Sequence, residues 1–215
     1  PTLESGLPFS VGDSRTASRA SFVKGLNSAF EMTQRGFCDY GFVGGAEIDP
    51  YGNLNSTMMG AFPDDYQKPK VRLPGSGGAS DMAASCERTI LIMPHEPRRF
   101  NERISYVTSP GFLDGSPGAR DRAGLVGSGP HRVITTKAVL DFDPDTRRMR
   151  LLHTLPGETI QSVQAATGFE LAIAPEVTPF DPPTIDELRL IREHIDPLGF
   201  FVKKPAKAQP LPNQF

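Results

Sequence analysis

Leu73-Pro74-Gly75-Ser76-Gly77-Gly78-Ala79-Ser80-Asp81 is the stretch on which the reading of this chain turns. Three glycines within four residues strip side chains from a turn and leave its amide N–H groups open to whatever binds there. The residues that follow, Ser80 to Glu87, read as a short helix, so the loop feeds a helix N-terminus. Unpaired donors and partial positive charge at such an end suit a phosphate or a developing oxyanion. The apolar run Thr89 to Met93 then reads as a buried strand. An isolated Gly-Ser-Gly-Gly is more often only a tight turn between packed elements. Its company decides between the two.

The whole chain sets bounds on that company. Its 215 residues suffice to bury a full core, as one large α/β domain or two small ones. The net charge is −2, with 23 basic and 25 acidic residues well mixed, and no long basic block argues for nucleic acid as a partner. The apolar runs are too short to cross a bilayer, and no charged-then-apolar leader opens the chain. Cys38 and Cys86 offer neither a disulfide framework nor metal spacing, which makes a reducing cytoplasm the expected compartment and both cysteines small core residues. Twenty-one glycines and 21 prolines predict many turns. The opening at Pro1, without methionine, suggests a truncated or processed product.

Outward from the glycine loop, apolar Phe22, Val23, Leu26 and Phe30 predict one helix from about Ala17 to Arg35, stopped by Gly36. Phe37 to Val43 reads as a strand ending at Gly44-Gly45-Ala46, and Asp49-Pro50-Tyr51-Gly52-Asn53 is turn chemistry before a strand over Leu54 to Ala61. Pro94-His95-Glu96-Pro97-Arg98-Arg99 lies beyond the carboxyl end of the 89–93 strand. Residues 109–130, rich in glycine and proline, read as a lid, an interface arm or a mobile loop. Arg132 to Phe142 and Arg148 to Leu155 flank Asp143-Pro144-Asp145-Thr146 and predict a hairpin. Thr159 to Thr167 reads as a short helix, Leu171 to Ala174 as a strand, and Thr184-Ile185-Asp186-Glu187 as a capping box. The domain is expected to span 1–202, with 203–215 as an extended proline-rich tail.

Several chemistries lack support. The histidines, His95, His131, His153 and His194, show no pairing at metal-ligand spacing, so no metal is expected. No Gly-x-Ser-x-Gly elbow is present, and Gly75-Ser76-Gly77-Gly78 has the wrong spacing for a dinucleotide fingerprint. Glu4, in a turn before Ser5-Gly6, reads from the residues alone as a solvated surface acid.

Taken together, Glu4-Ser5-Gly6, Val43-Gly44-Gly45-Ala46-Glu47-Ile48-Asp49-Pro50-Tyr51-Gly52-Asn53 and Leu73-Pro74-Gly75-Ser76-Gly77-Gly78-Ala79 give a different picture. This ordered set resembles the β subunit of family I coenzyme A transferases, of the glutaconate CoA-transferase type. The likeness continues through Arg132 to Val139 and Pro182-Pro183-Thr184 to Asp196-Pro197, and so covers nearly the whole chain. It implies an α/β fold with an open, mostly parallel sheet flanked by helices and an antiparallel hairpin near 132–155. It implies Glu4 as the nucleophile of CoA transfer between an acyl-CoA and a free carboxylic acid. A desolvated carboxylate held against a thioester carbonyl can displace a thiolate that it displaces poorly in water. The tetrahedral oxyanion then needs preorganised N–H donors, for which Gly75, Gly77, Gly78 and Ala79 are the candidates, with CoA contacts. Gly44 and Gly45 either let pantetheine approach a strand end or bend the sheet.

The resemblance further implies coenzyme A as substrate with no permanently bound cofactor. Family β subunits carry several dozen residues ahead of the nucleophile, so the chain is expected to lack its N-terminal segment. It has no Gly-Gly-Phe signature of the α subunit, which implies a separate α subunit in an αβ or α2β2 assembly, partly covering the apolar loop and strand ends around Phe112 and Leu113. Hydrolase relatives that open steroid-derived rings lack the nucleophilic glutamate, and Glu4 points to transfer. The alternatives are a CoA-thioester or ring-opening hydrolase, or a non-catalytic component that binds CoA esters or sugar phosphates.

Overall fold

The computed structural model describes Pro8 and residues 13–18, 20–60 and 66–202. Two groups of residues each cohere by themselves, 26–181 on one side and the described residues before 26 and after 181 on the other. Glu4 and the tail from 203 onward lie outside the described residues.

In the larger unit, helix α1 (Leu26–Gln34) is closed by a Schellman stop: Gly36 N–H donates to the Thr33 carbonyl and Phe37 N–H to that of Met32, both at 3.0 Å. The predicted helix from Ala17 is therefore shortened. Phe22 and Val23 are exposed and gain nothing from a helical face, while Gly25 costs helix stability at the point where the helix would have to continue. Strands β1 (Tyr40–Val43), β2 (Glu47–Ile48), β3 (Leu54–Asn55), β4 (Met58–Met59) and β5 (Val71–Arg72) follow. The single strand expected over 54–61 breaks at Ser56-Thr57, because the Asn55 side-chain oxygen accepts from Thr57 N–H (3.0 Å) and Met58 N–H (3.3 Å) and turns the chain. Helix α2 (Ala79–Ser85) and strand β6 (Arg88–Met93) come next, then the one-turn helix α3 (Ala119–Arg122) and strands β7 (Pro130–Thr135), β8 (Ala138–Phe142) and β9 (Met149–Thr154). Helix α4 (Ile160–Ala165) and strand β10 (Ala172–Pro179) complete the unit.

Six strands form one sheet in the order β1-β6-β7-β8-β9-β10. The β1/β6, β6/β7 and β9/β10 pairs are parallel, and β7/β8 and β8/β9 are antiparallel. The register explains why these sequences hold it. Val43, Leu91, Val133, Leu140 and Leu151 are successive cross-strand partners and make one buried row across five strands. Each such side chain contributes about 1.5–3 kcal/mol by leaving water. Ile48, Phe100, Val163 and Phe169 complete the core around that row. On the alternate positions Phe42, Ile92 and Ile134 remain exposed.

The predicted hairpin around Asp143–Thr146 is present, with the Asp143 carboxylate accepting from Asp145 N–H and Thr146 N–H (3.1 and 2.8 Å). The segment before it, read as one strand from Arg132 to Phe142, is two. The Thr135 hydroxyl accepts from Lys137 N–H and Ala138 N–H and donates to the Ala138 carbonyl, building a second reversal at Thr136-Lys137.

Residues 109–130 are pinned within their own chain. The buried Asn53 side chain accepts from Gly111 N–H (2.7 Å) and Leu113 N–H (3.1 Å) and donates to the Leu113 carbonyl (2.8 Å) and to Asp49 (2.7 Å). Arg120, also buried, spends its guanidinium on the carbonyls of Ala83, Gly111 and Gly127 at 2.7–3.0 Å, and burial holds its pKa below the usual arginine value. Phe112 packs edge-on against Phe142, ring centroids 5.2 Å apart, and is 9% exposed. Its own chain covers most of it.

In the smaller unit the capping box is as predicted: the Thr184 hydroxyl accepts from Glu187 N–H and the Glu187 carboxylate from Thr184 N–H, opening helix α5 (Ile185–Arg189). A π-helical turn over Leu190–Ile195 leads to Asp196, whose carboxylate accepts from the N–H groups of Phe200, Phe201 and Val202, each at 2.8 Å. Those bonds hold its pKa below the ordinary carboxylate value. No helix among the described residues is long and apolar enough to cross a membrane.

Candidate active site

Strand β3 and the two residues after it bring the two glycine motifs together. Ala46 N–H donates to the Asn55 carbonyl at 2.7 Å, and a Cβ on Gly45 would stand 3.2 Å from that same oxygen and 3.1 Å from the Leu54 side chain. One residue on, the Ser56 carbonyl accepts from Gly75 N–H at 2.9 Å and the Ser56 hydroxyl donates to the Gly75 carbonyl at 3.1 Å. Leu73 N–H closes on the Thr57 carbonyl at 2.8 Å. Thr108 backs this link, accepting from Ser56 N–H and sharing a 2.8 Å hydroxyl bond with Thr57. The glycine loop is thus hung from the strand on which Gly45 packs. Both glycines make close approaches: Gly45 to β3, and Gly44, itself exposed, to β6, where a Cβ would stand 3.1 Å from the Ile92 carbonyl oxygen.

Within the loop the donors differ. Gly75 N–H is spent on Ser56, and Ala79 N–H on the Ser76 carbonyl at 2.9 Å. Among the described residues, Gly77 and Gly78 N–H have no acceptor. Gly77 is left-handed (φ +50°) and Gly78 follows at φ −89°, ψ 3°, the alternation that turns consecutive N–H groups toward one point. A Cβ at Gly77 would meet nothing within 4 Å, so the point is open, whereas one at Gly78 would enter the Phe30 ring at 2.4 Å. Helix α1 therefore packs on the underside of the loop through a residue that only glycine can occupy without displacing that ring. The loop opens helix α2, as read from the sequence, though α2 has only seven residues.

Sequence reasoning missed the residues that hold this arrangement. Glu47, buried, accepts from Asn55 Nδ2 at 2.5 Å and from Ser105 N–H at 3.1 Å, so a carboxylate with no ion-pair partner among the described residues ties β2, β3 and the 101–105 segment together. Its only signal was a charged residue inside an otherwise apolar and glycine run. Ser56, Thr57 and Thr108 carried none.

His95, placed by the sequence beyond the end of β6, is 3% exposed and fully occupied: its ring nitrogens lie 3.0 Å from the hydroxyls of Thr135 and Thr167, and it stacks on Phe100 at 4.1 Å. Burial, aided by Lys137 and opposed by Glu158, lowers its pKa to about 4. Asp49, also buried, is raised to about 6 by burial against the hydrogen bonds from Asn53 and Tyr51. The signs oppose. Between about pH 6.5 and 4 the unfolded chain protonates His95 and the folded chain does not, so stability from His95 is lost as pH falls. Between about pH 4 and 6 the folded chain keeps the Asp49 proton and the unfolded chain does not, so stability from Asp49 is lost as pH rises. Each span corresponds to about 3 kcal/mol and the two nearly cancel. His95→Gln removes one side. Its destabilisation relative to wild type, measured by urea unfolding, should be about 3 kcal/mol smaller at pH 4 than at pH 7. A constant difference across that range would contradict a neutral, buried His95.

Cys38 and Cys86 are free, with sulfurs 3.3 Å apart, and burial together with Cys38 pushes the Cys86 thiol up to about 12.

The family pattern described as "Coenzyme A transferase" matches residues 7–166, about three quarters of the chain. This chain belongs to the coenzyme A transferase family. It is 47% identical over 169 residues to one subunit of the glutaconate CoA-transferase of Acidaminococcus fermentans, covering 78% of this chain and 61% of that protein. It is 35% identical over 187 residues to one subunit of the 3-oxoadipate CoA-transferase of Pseudomonas knackmussii, covering 86% and 70%. The crystal structure of the A. fermentans glutaconate coenzyme A-transferase matches with a TM-score of 0.84 at 40% identity, over 93% of this chain and 76% of that one. The fold is therefore that of a CoA-transferase, an open mixed sheet with helices and antiparallel hairpins. The chain spans about three fifths of the length of the A. fermentans protein.

Proposed function

We propose that this chain is the nucleophile-bearing subunit of a transferase that moves coenzyme A from an acyl-CoA to a free carboxylic acid. The observation that carries the reading is the Gly77-Gly78 pair of N–H groups, without acceptors among the described residues, on a loop fixed to β3 by Ser56, in a chain of this family. Glu4 is the proposed nucleophile. Its carboxylate attacks the thioester carbonyl, and the oxyanion that forms accepts from Gly77 and Gly78 N–H. Collapse expels the CoA thiolate and leaves an acyl–glutamyl anhydride. The thiolate then attacks the glutamyl carbonyl, releasing the first carboxylate and leaving a glutamyl–CoA thioester, which an acceptor acid reverses. Gly75 and Ala79 take a supporting part in this reading, because their own N–H groups hold the loop. Gly44 borders the site as the exposed side of a strand end, and Gly45 sets the bend.

The A. fermentans and P. knackmussii relatives are each named as one subunit of their enzyme, which favours a separate α subunit here, in an αβ or α2β2 assembly. Coenzyme A serves as substrate and no resident cofactor takes part. The two free, adjacent thiols favour a reducing, cytoplasmic compartment. Glutaconate and 3-oxoadipate, the acids in the relatives' names, are the first acyl groups to try. Borohydride trapping tests the reading. With acyl-CoA present, the assembled enzyme should lose activity on reduction, and the peptide containing Glu4 should carry the alcohol that reduction of a glutamyl thioester yields. Transfer that survives borohydride, with no modified peptide, would rule out the covalent route.

A further inference from the structure

A polar concavity lies at the amino ends of the parallel strands β6 and β7. Gly44 and Gly45 follow the carboxyl end of β1, whereas Arg88 opens β6 and Pro130-His131-Arg132 open β7. An irregularity in the β6/β7 register, where Thr89 faces Pro130 and Ile90 faces Arg132, makes His131 the extra residue of a bulge. The bulge sets His131 beside Tyr40, ring centroids 6.5 Å apart, and Tyr40 is the cross-strand partner of Arg88. From the β8–β9 turn, left-handed Arg147 (φ +58°) lays its guanidinium over the Phe112 ring at 5.3 Å. Arg88, Arg132 and Arg147 thereby line one pocket of about 200 Å³ with Ser128 and His131, over a floor of Phe112 and Phe142. An adjoining pocket of about 320 Å³ shares Phe112, Ser128 and Arg147 with it.

The charge there is not compensated locally. Among the described residues no carboxylate lies within 4 Å of Arg88, Arg132 or Arg147. Asp141, next to Arg132 across the β7/β8 pair, is committed to Arg150 at 2.7 and 3.0 Å, and Glu87 accepts from the Ser128 hydroxyl at 2.8 Å. Asp121 lines only the adjoining pocket. Arg88 reaches no more than the Tyr40 hydroxyl at 3.5 Å, and Arg132 the His131 carbonyl at 2.8 Å. Burial first, then Arg132 and Arg88, lower the pKa of His131, with Asp141 opposing, so both guanidiniums make themselves felt at the imidazole. Three arginines lining one pocket beside the Ser128 hydroxyl suit a phosphate, which Arg binds through paired N–H donors.

We propose that Arg88, Arg132 and Arg147 form a binding site for the phosphate group of a small phosphorylated ligand. The small pocket takes the phosphate. The aromatic wall of Phe112 and the adjoining space take the organic remainder. The site is built from strand starts and a turn that the transferase reading does not use.

Calorimetric titration of the whole protein with inorganic phosphate, and separately with glycerol 3-phosphate, at constant ionic strength in chloride, tests it. Saturable binding of one equivalent is expected with a Kd below about 1 mM. Arg132→Gln and Arg147→Gln should each weaken it about 10-fold or more, and Arg189→Gln, in α5, should leave it unchanged. Tighter binding of the ester than of inorganic phosphate would identify a phosphorylated metabolite as the ligand, and the reverse the free anion. A readout on the unaltered protein guards against misfolded variants: saturating phosphate should move the NMR titration of His131 upward. No saturable binding, equal loss in Arg189→Gln, or an unmoved His131 would each overturn the proposal.

Discussion

Glu4→Asp should cut the transfer rate by on the order of 10²-fold or more while leaving acyl-CoA affinity nearly unchanged. The substitution keeps the charge and withdraws the carboxylate by one methylene, about 1.5 Å by standard bond lengths. Covalent attack needs the reacting atoms within about 3–3.5 Å and aligned, and a displacement near 1 Å already costs about 10²-fold. A general base is less sensitive, since it can act through an intervening water. Glu4→Gln should lose transfer altogether, because an amide cannot form the anhydride. Binding should persist in both variants, since the Gly77-Gly78 donors and the Ser56 anchor are untouched. The measurement is the exchange rate and acyl-CoA affinity of each variant in the assembled enzyme. Near-normal transfer in Glu4→Asp, or any CoA exchange in Glu4→Gln, would show that Glu4 is not the nucleophile.

Where the sequence was legible, a local rule and a global need coincided. The run Thr89–Met93 lies inside the sheet, between β1 and β7, because a short apolar stretch after a helix has nowhere cheaper to go, and β6 places Leu91 in the Val43–Leu151 row. The Thr184 capping box and the Asp143 turn were readable because each is made by hydrogen bonds within four residues. Helix α1 shows the limit of periodicity. Phe22, Val23, Leu26 and Phe30 have helical spacing, but Phe30 packs on the bare Cα of Gly78 while the other three are exposed. A pattern of apolar residues states a face; it does not state that anything covers it.

The site was legible in part for the same reason. Glycines announce an open loop, so Gly75, Gly77 and Gly78 stand out from the sequence. Which of their N–H groups are free does not, because the acceptors, Ser56 and Ser76, are set by tertiary placement in one case and by the loop's own turn in the other. Residues 109–130 read from glycine and proline content as a lid, an interface arm or a mobile loop; of these, mobility is the one the structure removes, since the segment is anchored by one asparagine 58 residues upstream of Gly111 and one arginine whose partners are carbonyls. Neither leaves a mark in composition. The buried Glu47 and His95 were illegible as well, since a satisfied polar group in a core looks in sequence like an exposed one.

Asn53→Leu should destabilise the protein by about 4–6 kcal/mol, a large part of the 5–15 kcal/mol by which a domain of this size is stable. Leucine fits the volume and removes every polar atom. Gly111 N–H, Leu113 N–H and the Leu113 carbonyl then lose their partner in a buried place, and Asp49 loses a donor. An orphaned buried group costs about 1–3 kcal/mol. Gly111→Ala attacks the same latch from the other side, because its Cβ would stand 2.4 Å from the Tyr51 carbonyl oxygen and the Gly52 backbone, neither of which can give way as a side chain would. The two substitutions release one contact between two segments. Their costs should therefore combine to less than their sum in a double-mutant cycle. Thermal unfolding at pH 7 should show the Asn53→Leu midpoint lowered by roughly 10–20 °C. Function should fall ahead of the melt, since the latch fixes the Asp49–Asn53 turn at the start of β3, and β3 carries the glycine loop through Ser56. A variant that melts within a few degrees of wild type, or costs that add in full, would mean that the 109–115 segment is held by other contacts.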